Sequence, residues 1–258
     1  MVKAITLVAL LGAAASVNAQ SLTTYADGSA ATLGSGFTAT VQPGGIRAVP
    51  GGANFFNIEG RNNGNFASWG AVRFDLTDAY AQLNSLAQAQ FGASGTFTIT
   101  GATVTFSSSN AAFTRPGLLE VYRVANDTLS IDPNAPGAGF GIGTTLGGNR
   151  MYNGALGAAS SLLGTINFTQ SGSGNNNVAF GTDISGVLGL GELNGVDNAL
   201  TLVIDTNSLT TAATFEGQSG PFNGINAPAL TLNYTLAPTP GAAAVFGVAA
   251  VAGLRRRR

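Results

Sequence analysis

Acid–base chemistry in this chain rests on carboxylates or on nothing. The sequence has no histidine and no cysteine, and its single lysine is Lys3. Imidazole bases, thiolates, amine nucleophiles and the usual zinc ligands are therefore absent, and Ser-His-Asp hydrolysis is excluded. Glu59, Asp75, Asp78, Glu120, Asp127, Glu192 and Glu216 are the acids from which a glycoside hydrolase or lyase would draw its acid and base. Such a pair must face each other at about 5 Å or about 6.5–9.5 Å. The scatter of these residues fixes no separation, and a lone acid on a strand is ordinarily a solvated side chain. No catalytic residue is assigned, and the chain is read as a non-enzyme.

Binding chemistry is better represented. A glycan site needs an exposed aromatic platform with polar neighbours, and the candidates are Trp69, the only tryptophan, with Arg73, Tyr122 and Arg123, and Tyr152 as a further aromatic. The alternative for Trp69 is a place capping the core. For a structural calcium, Asp127, Asp132 and Asn134, or Asn175 to Asn177 with Asp183, offer oxygen ligands. There is no EF-hand spacing, and the same residues are turn formers. No other metal or cofactor is expected. Between Gln20 and Pro238 six arginines stand against all twelve acids, which argues against nucleic acid, whose binding is driven by Lys and Arg on phosphates.

The elements that must position these residues read as β. Leu230, Leu232, Tyr234 and Leu236 alternate with Thr231, Asn233 and Thr235, the period of a half-buried strand. Val72, Phe74 and Leu76 repeat the pattern, as do Leu200, Leu202 and Ile204. The stretch from Thr96 to Phe106 is a strand with a bulge or bend at Gly101, and Leu118 to Val124 and Leu162 to Phe168 are further strands. Turn formers such as Pro50-Gly51-Gly52, Asn62-Asn63-Gly64 and Asp132-Pro133-Asn134 separate them. From Asp78 to Phe91 the period changes: Tyr80, Leu83, Ala87 and Gln90 or Phe91 recur at helical spacing, with Asp78 as N-cap and Gly92 as stop. The expected fold class is all-β, an antiparallel β-sandwich or jelly roll with one short inserted helix.

Both ends are unlike this body. Lys3 followed by the apolar run Ala4 to Val17 and by Val17-Asn18-Ala19 has the order of an export signal, with cleavage between Ala19 and Gln20. At the other end Pro238-Thr239-Pro240-Gly241 precedes thirteen apolar or glycine residues, Ala242 to Leu254, and then Arg255, Arg256, Arg257 and Arg258. As a helix that run rises about 20 Å, short of a hydrocarbon core of about 30 Å, so a transient span fits better than a permanent one. The arginines belong in the cytoplasm and the body outside. The expected organisation is a signal peptide at 1–19, a β-sandwich at 20–237, and a C-terminal sorting or anchor segment at 238–258 containing a hydrophobic helix.

On these residues the C-terminal segment resembles a PEP-CTERM sorting tail of the planctomycete type, departing from it in having Thr239 where the motif has glutamate. The resemblance implies passage through the secretion translocase, recognition by an exosortase-like membrane protease, and delivery to the cell surface or an extracellular matrix. The body is similar to the DNRLRE-type β-sandwich. Its Trp69 to Leu76, with Arg73-Phe74-Asp75-Leu76, its Ile99 to Phe106, its Leu119 to Val124, with Val121-Tyr122-Arg123-Val124, and its Thr182 to Val187 follow that family's order. Ala213 to Glu216 and Ala227 to Leu232 correspond to its final strand pair. That likeness implies a jelly roll, in some relatives an alginate-binding module. Three functions therefore stand: a structural or adhesive surface protein, which is preferred; a carbohydrate-binding module for an extracellular polysaccharide; and a carboxylate-dependent hydrolase or lyase.

Overall fold

The computed structural model describes residues 20–26, 36–42, 45–46, 54–109, 114–124, 160–172, 177–190, 193, 198–218 and 227–239. The segments 1–19 and 240–258 lie outside the described residues, and with them Ala19, Pro240, Gly241 and Arg255 to Arg258. So do Asp127, Asp132, Asn134, Tyr152, Asn175, Asn176 and Glu192. Among the described residues no helix is long and apolar enough to cross a membrane.

In chain order the strands are β1 (Gln20–Tyr25), β2 (Phe37–Gln42), β3 (Gly45–Ile46), β4 (Phe55–Glu59), β5 (Trp69–Asp75), β6 (Gly95–Ser107), β7 (Gly117–Val124), β8 (Ser160–Phe168), β9 (Ala179–Asp183), β10 (Ala199–Asp205), β11 (Ala212–Glu216) and β12 (Ala229–Pro238). They form a four-stranded sheet, β1-β12-β6-β9, a six-stranded sheet, β3-β2-β5-β10-β7-β8, and a pair, β11-β4. All the pairings are antiparallel. The two large sheets enclose one core. Leu230, Leu232, Val104 and Phe106 come to it from the first, and Val72, Phe74, Val121, Leu202 and Ile204 from the second. An antiparallel, two-layered β fold is thus in place.

The helix, α1 (Thr77–Phe91), buries Ala79, Tyr80, Leu83 and Ala87, with Tyr80, Leu83 and Ala87 joining the core. Its start differs from expectation. Asp78 lies inside the first turn, where its charge complements the helix dipole, while the Asp75 Oδ1 accepts the Thr77 N–H at 2.9 Å. Gly92, at φ +70°, follows the helix and ends it.

β6 carries an irregularity near its expected place: Gly101 pairs with Asn233 and Ile99 with Tyr234, leaving Thr100 as the extra residue. One expectation is corrected here. β10 is not half-buried, because it is central in the six-stranded sheet and both of its faces are closed to solvent; Thr201, Val203 and Asp205 are as buried as Leu200, Leu202 and Ile204. The strands at 213–216 and 229–232 are the last two in chain order, β11 lying on β4 and β12 on β6.

Candidate functional site

The sequence-selected glycan residues do not converge on an exposed surface. Trp69 and Arg73 lie on one face of β5, in register with Val41 and Phe37 of β2. Tyr122 shares that face through its alignment with Val203, which in turn aligns with Ala71. The face is covered: Trp69 is 0% exposed, and Tyr122 and Arg73 are buried too. Arg123 aligns instead with the core-facing Leu202 and so belongs to the opposite face. Trp69, Arg73, Tyr122 and Arg123 therefore form no aromatic platform, because the outer face of this sheet is interior. Alternation along a strand tells which residues share a face; it does not tell which face is wet.

The carboxylates fall into separate settings. Asp75 and Asp78 serve the start of α1. Glu120 sits directly opposite Asp205 on the covered face, where its Oε2 accepts the Tyr122 hydroxyl at 2.9 Å and the Asp205 Oδ1 accepts the Thr206 N–H at 2.7 Å. Glu59 and Glu216 share one face of the β4–β11 pair but stand at its opposite ends, Glu59 opposite Ala212 and Glu216 opposite Phe55, and the construction of that face follows from alternation. Phe56, Ile58, Ala213 and Phe215 enter the core. Asn57, Glu59, Thr214 and Glu216, one residue out of phase, take the other face, with Thr214 opposite Asn57 and Ala212 opposite Glu59.

This polar face is nevertheless buried. The Asn57 Nδ2 donates to the Glu59 Oε1 at 3.1 Å, and the Glu59 backbone exchanges hydrogen bonds with Ser68 at 3.0 and 2.9 Å. Desolvation pushes the Glu216 carboxyl above its ordinary value, and a hydrogen bond from Ser109 opposes that shift. Of the sequence-selected calcium ligands within the described residues, Asn177 adopts a left-handed turn at φ 61°. The Asp183 Oδ1 is engaged by Ser185, through its N–H at 2.8 Å and its hydroxyl at 2.5 Å. Among the described residues no three His, Cys, Asp or Glu side chains cluster as a metal site.

Beyond Glu59 the face opens into a pocket of about 200 Å³ lined by Glu59, Asn63, Phe66 and Arg115. Asn63 and Phe66 come from the 3-10 segment Arg61–Phe66, where Gly64 at φ +62° supplies the reversal. The segment is tied down by the Asn63 Nδ2 donating to the Thr211 carbonyl at 3.0 Å and the Asn62 N–H donating to the Leu209 carbonyl at 2.9 Å. Arg115 bridges to Ala212 on the edge of β11 away from β4, so the small Ala212 separates the guanidinium-bearing residue from Glu59. Phe66 is 55% exposed. Glu59 is only 2% exposed and the Asn63 amide is held by Thr211, so what the pocket offers a polyhydroxylated ligand is chiefly the aromatic face of Phe66 beside Arg115.

Sequence reading missed this constellation. Asn62-Asn63-Gly64 was legible as a turn, but the signal beside it was a lone aromatic, Phe66, in a polar stretch with no periodicity to place it. The chain matches no protein-family profile and no curated protein.

Proposed function

We propose that the chain is an exported, non-catalytic protein of the cell surface or extracellular matrix, sorted by its PEP-CTERM-like tail and built on a DNRLRE-like jelly roll with a structural or adhesive role. One observation carries the reading. β12 ends at Pro238, the first residue of the expected sorting motif, and β1, described from Gln20 onward, is its neighbour. β1 and β12 are antiparallel neighbours, Gln20 lying opposite Tyr234, so both expected processing points sit at one pole of the sandwich. Cleavage after Pro238 would leave β12 whole. β6 runs from that pole, where Gly95 pairs with Pro238, towards the other. At 13 residues it covers about 40 Å as extended chain. Ser108, just beyond it, bridges to Phe215 of β11, so the polar β4–β11 region lies away from the tail.

Intact-mass analysis of the protein fractionated from its native host tests this reading. A surface species lacking residues 1–19 and the arginine end is expected. A membrane species that retains Arg258 would mean a simple anchor and end the exosortase-like reading.

A second reading, carbohydrate binding, is favoured by the exposed Phe66 beside Glu59, Asn63 and Arg115. Affinity electrophoresis of the protein through gels cast with neutral or acidic polysaccharide tests it: retardation is expected, and Phe66→Ala is expected to abolish it. Equal mobility with and without every polysaccharide removes the reading.

A further inference from the structure

We propose that Asn57, Thr214 and Glu216 hold a hard divalent cation, calcium in preference to magnesium, on the buried polar face of the β4–β11 pair. Three oxygens there have no hydrogen-bond partner: Asn57 Oδ1, Thr214 Oγ1 and Glu216 Oε2. They belong to side chains only 1%, 3% and 1% exposed. A buried polar atom without a partner is destabilising, more so when charged, and such atoms are few in native proteins. Three on neighbouring positions of one face are a shared demand. Thr214 stands directly opposite Asn57, and Glu216 is the next residue of β11 on the same face.

Two of the three atoms, Asn57 Oδ1 and the Glu216 carboxylate Oε2, can only accept, and the third, the Thr214 hydroxyl, can accept as well as donate. The Asn57 amide cannot be turned round, because its Nδ2 donates to the Glu59 Oε1 and reversal would set two acceptors face to face. The bond between Ser109 and the Glu216 carboxyl leaves Oε2 over. The Asn57 Oδ1 and the Glu216 Oε2 therefore lack a positive partner, and the Thr214 Oγ1 has lone pairs to set beside theirs. Arg115 bridges at Ala212 and lines the outer pocket. Amide, hydroxyl and carboxylate oxygens with no nitrogen or sulfur are ligands for a hard ion, and calcium accepts such a mixed, flexible set while magnesium demands near-ideal octahedral geometry. One ligating carboxylate, with Glu59 acting through Asn57, places the affinity in the weak range of extracellular modules, about 10⁻⁴–10⁻³ M. The site spans β4 and β11, elements 153 or more residues apart in the chain by their bounds, Glu59 and Ala212, so an ion there would fasten this pair at the end of the fold away from the tail.

The test is thermal unfolding of the full chain, stripped with chelator and then titrated with calcium or magnesium at constant ionic strength, with metal content read by native mass spectrometry. Calcium near 10 mM is expected to raise Tm by about 3–6 °C with one ion bound, magnesium to do less, and both Glu216→Gln and the near-isosteric Thr214→Val to lose most of that rise. No calcium dependence in the unsubstituted protein would overturn the proposal, since water or a proton would then satisfy these oxygens. An equal calcium response in the folded variants would overturn it as well, by locating the ion elsewhere. If either variant fails to fold, the other supplies the comparison, and the mass measurement on the unsubstituted chain still decides whether an ion is bound.

Discussion

Phe215 sits where four other rings meet: Phe56, Phe106, Phe168 and Phe180 lie 5.5, 5.4, 5.5 and 6.1 Å from it. Those rings come from β4, β6, β8 and β9, so one side chain joins both large sheets and the small pair. Truncation would open a cavity that none of these strands can close alone. Phe215→Ala is expected to lower unfolding free energy by about 3–5 kcal/mol in urea denaturation, whereas Phe66→Ala, at an exposed ring, is expected to change it by less than about 0.5 kcal/mol. A similar loss from both would contradict the roles given to them. A second expectation concerns Asp183. Its carboxyl lies at the surface and is held below the ordinary aspartate value, chiefly by the Ser185 hydroxyl and then by the Ser185 N–H. Because the folded value is depressed, the contribution to stability is present above the unfolded value and is lost as pH falls through the folded one. In an NMR titration Asp183 is expected to titrate below 3.8 and to move back towards that value in Ser185→Ala; unchanged titration would assign the shift to something other than these bonds. At this scale the sequence was a poor guide to Trp69, whose type suits a platform and a core equally well.

Individual elements were more legible. The alternation of β12 survives in the structure, with Leu230, Leu232, Tyr234 and Leu236 buried, and the helical spacing of Tyr80, Leu83 and Ala87 marks the buried side of α1. These segments are amphipathic, so a periodic pattern records a real boundary between core and solvent. β10 and the polar face of β4–β11 were not legible for the same reason in reverse: further chain lies over both faces, and the code that separates inside from outside has nothing to separate. β4 was hidden too, since Phe55-Phe56-Asn57-Ile58-Glu59 is short and places its polar residues indoors. The junction after β4 is tight. A Cβ on Gly60 would run into the Ser208 carbonyl and the Leu209 backbone, while the Gly60 N–H donates to the Thr211 carbonyl at 2.8 Å. Gly60→Ala is therefore expected to cost about 1–3 kcal/mol or more by overpacking, read as a lower urea midpoint, and to disturb the pocket above it. At the start of α1, Asp75→Ala removes the acceptor of the Thr77 N–H, and a loss of about 1 kcal/mol is expected; no loss would mean that water replaces the carboxylate without penalty.

The molecule as a whole has two unlike poles, and the difference has a consequence for processing. At the pole of the chain ends, β12 is zipped to β6 up to Pro238–Gly95, and the next N–H, that of Thr239, donates to the Ser94 carbonyl at 2.6 Å. The first half of the Pro238-Thr239-Pro240-Gly241 motif is thus part of the folded domain, and only Pro240 and Gly241 separate it from the apolar run that starts at Ala242. Under the sorting proposed above, a protease cutting beside these prolines would need several residues in extended form, and so would either draw the end of β12 off β6 or cut beyond Thr239. Inserting six Gly/Ser residues between Thr239 and Pro240 would supply that slack, since flexible chain adds reach at little entropic cost. In the native host, pulse-labelled protein carrying the insertion is expected to lose its arginine end faster than the unaltered chain, with the same surface location. Slower loss would mean that the folded end of β12 is itself recognised, which would move the recognition element from the tail into the sandwich. Equal rates would put the slow step upstream, in export or membrane insertion, where the order of charge and hydropathy rather than the fold sets the pace.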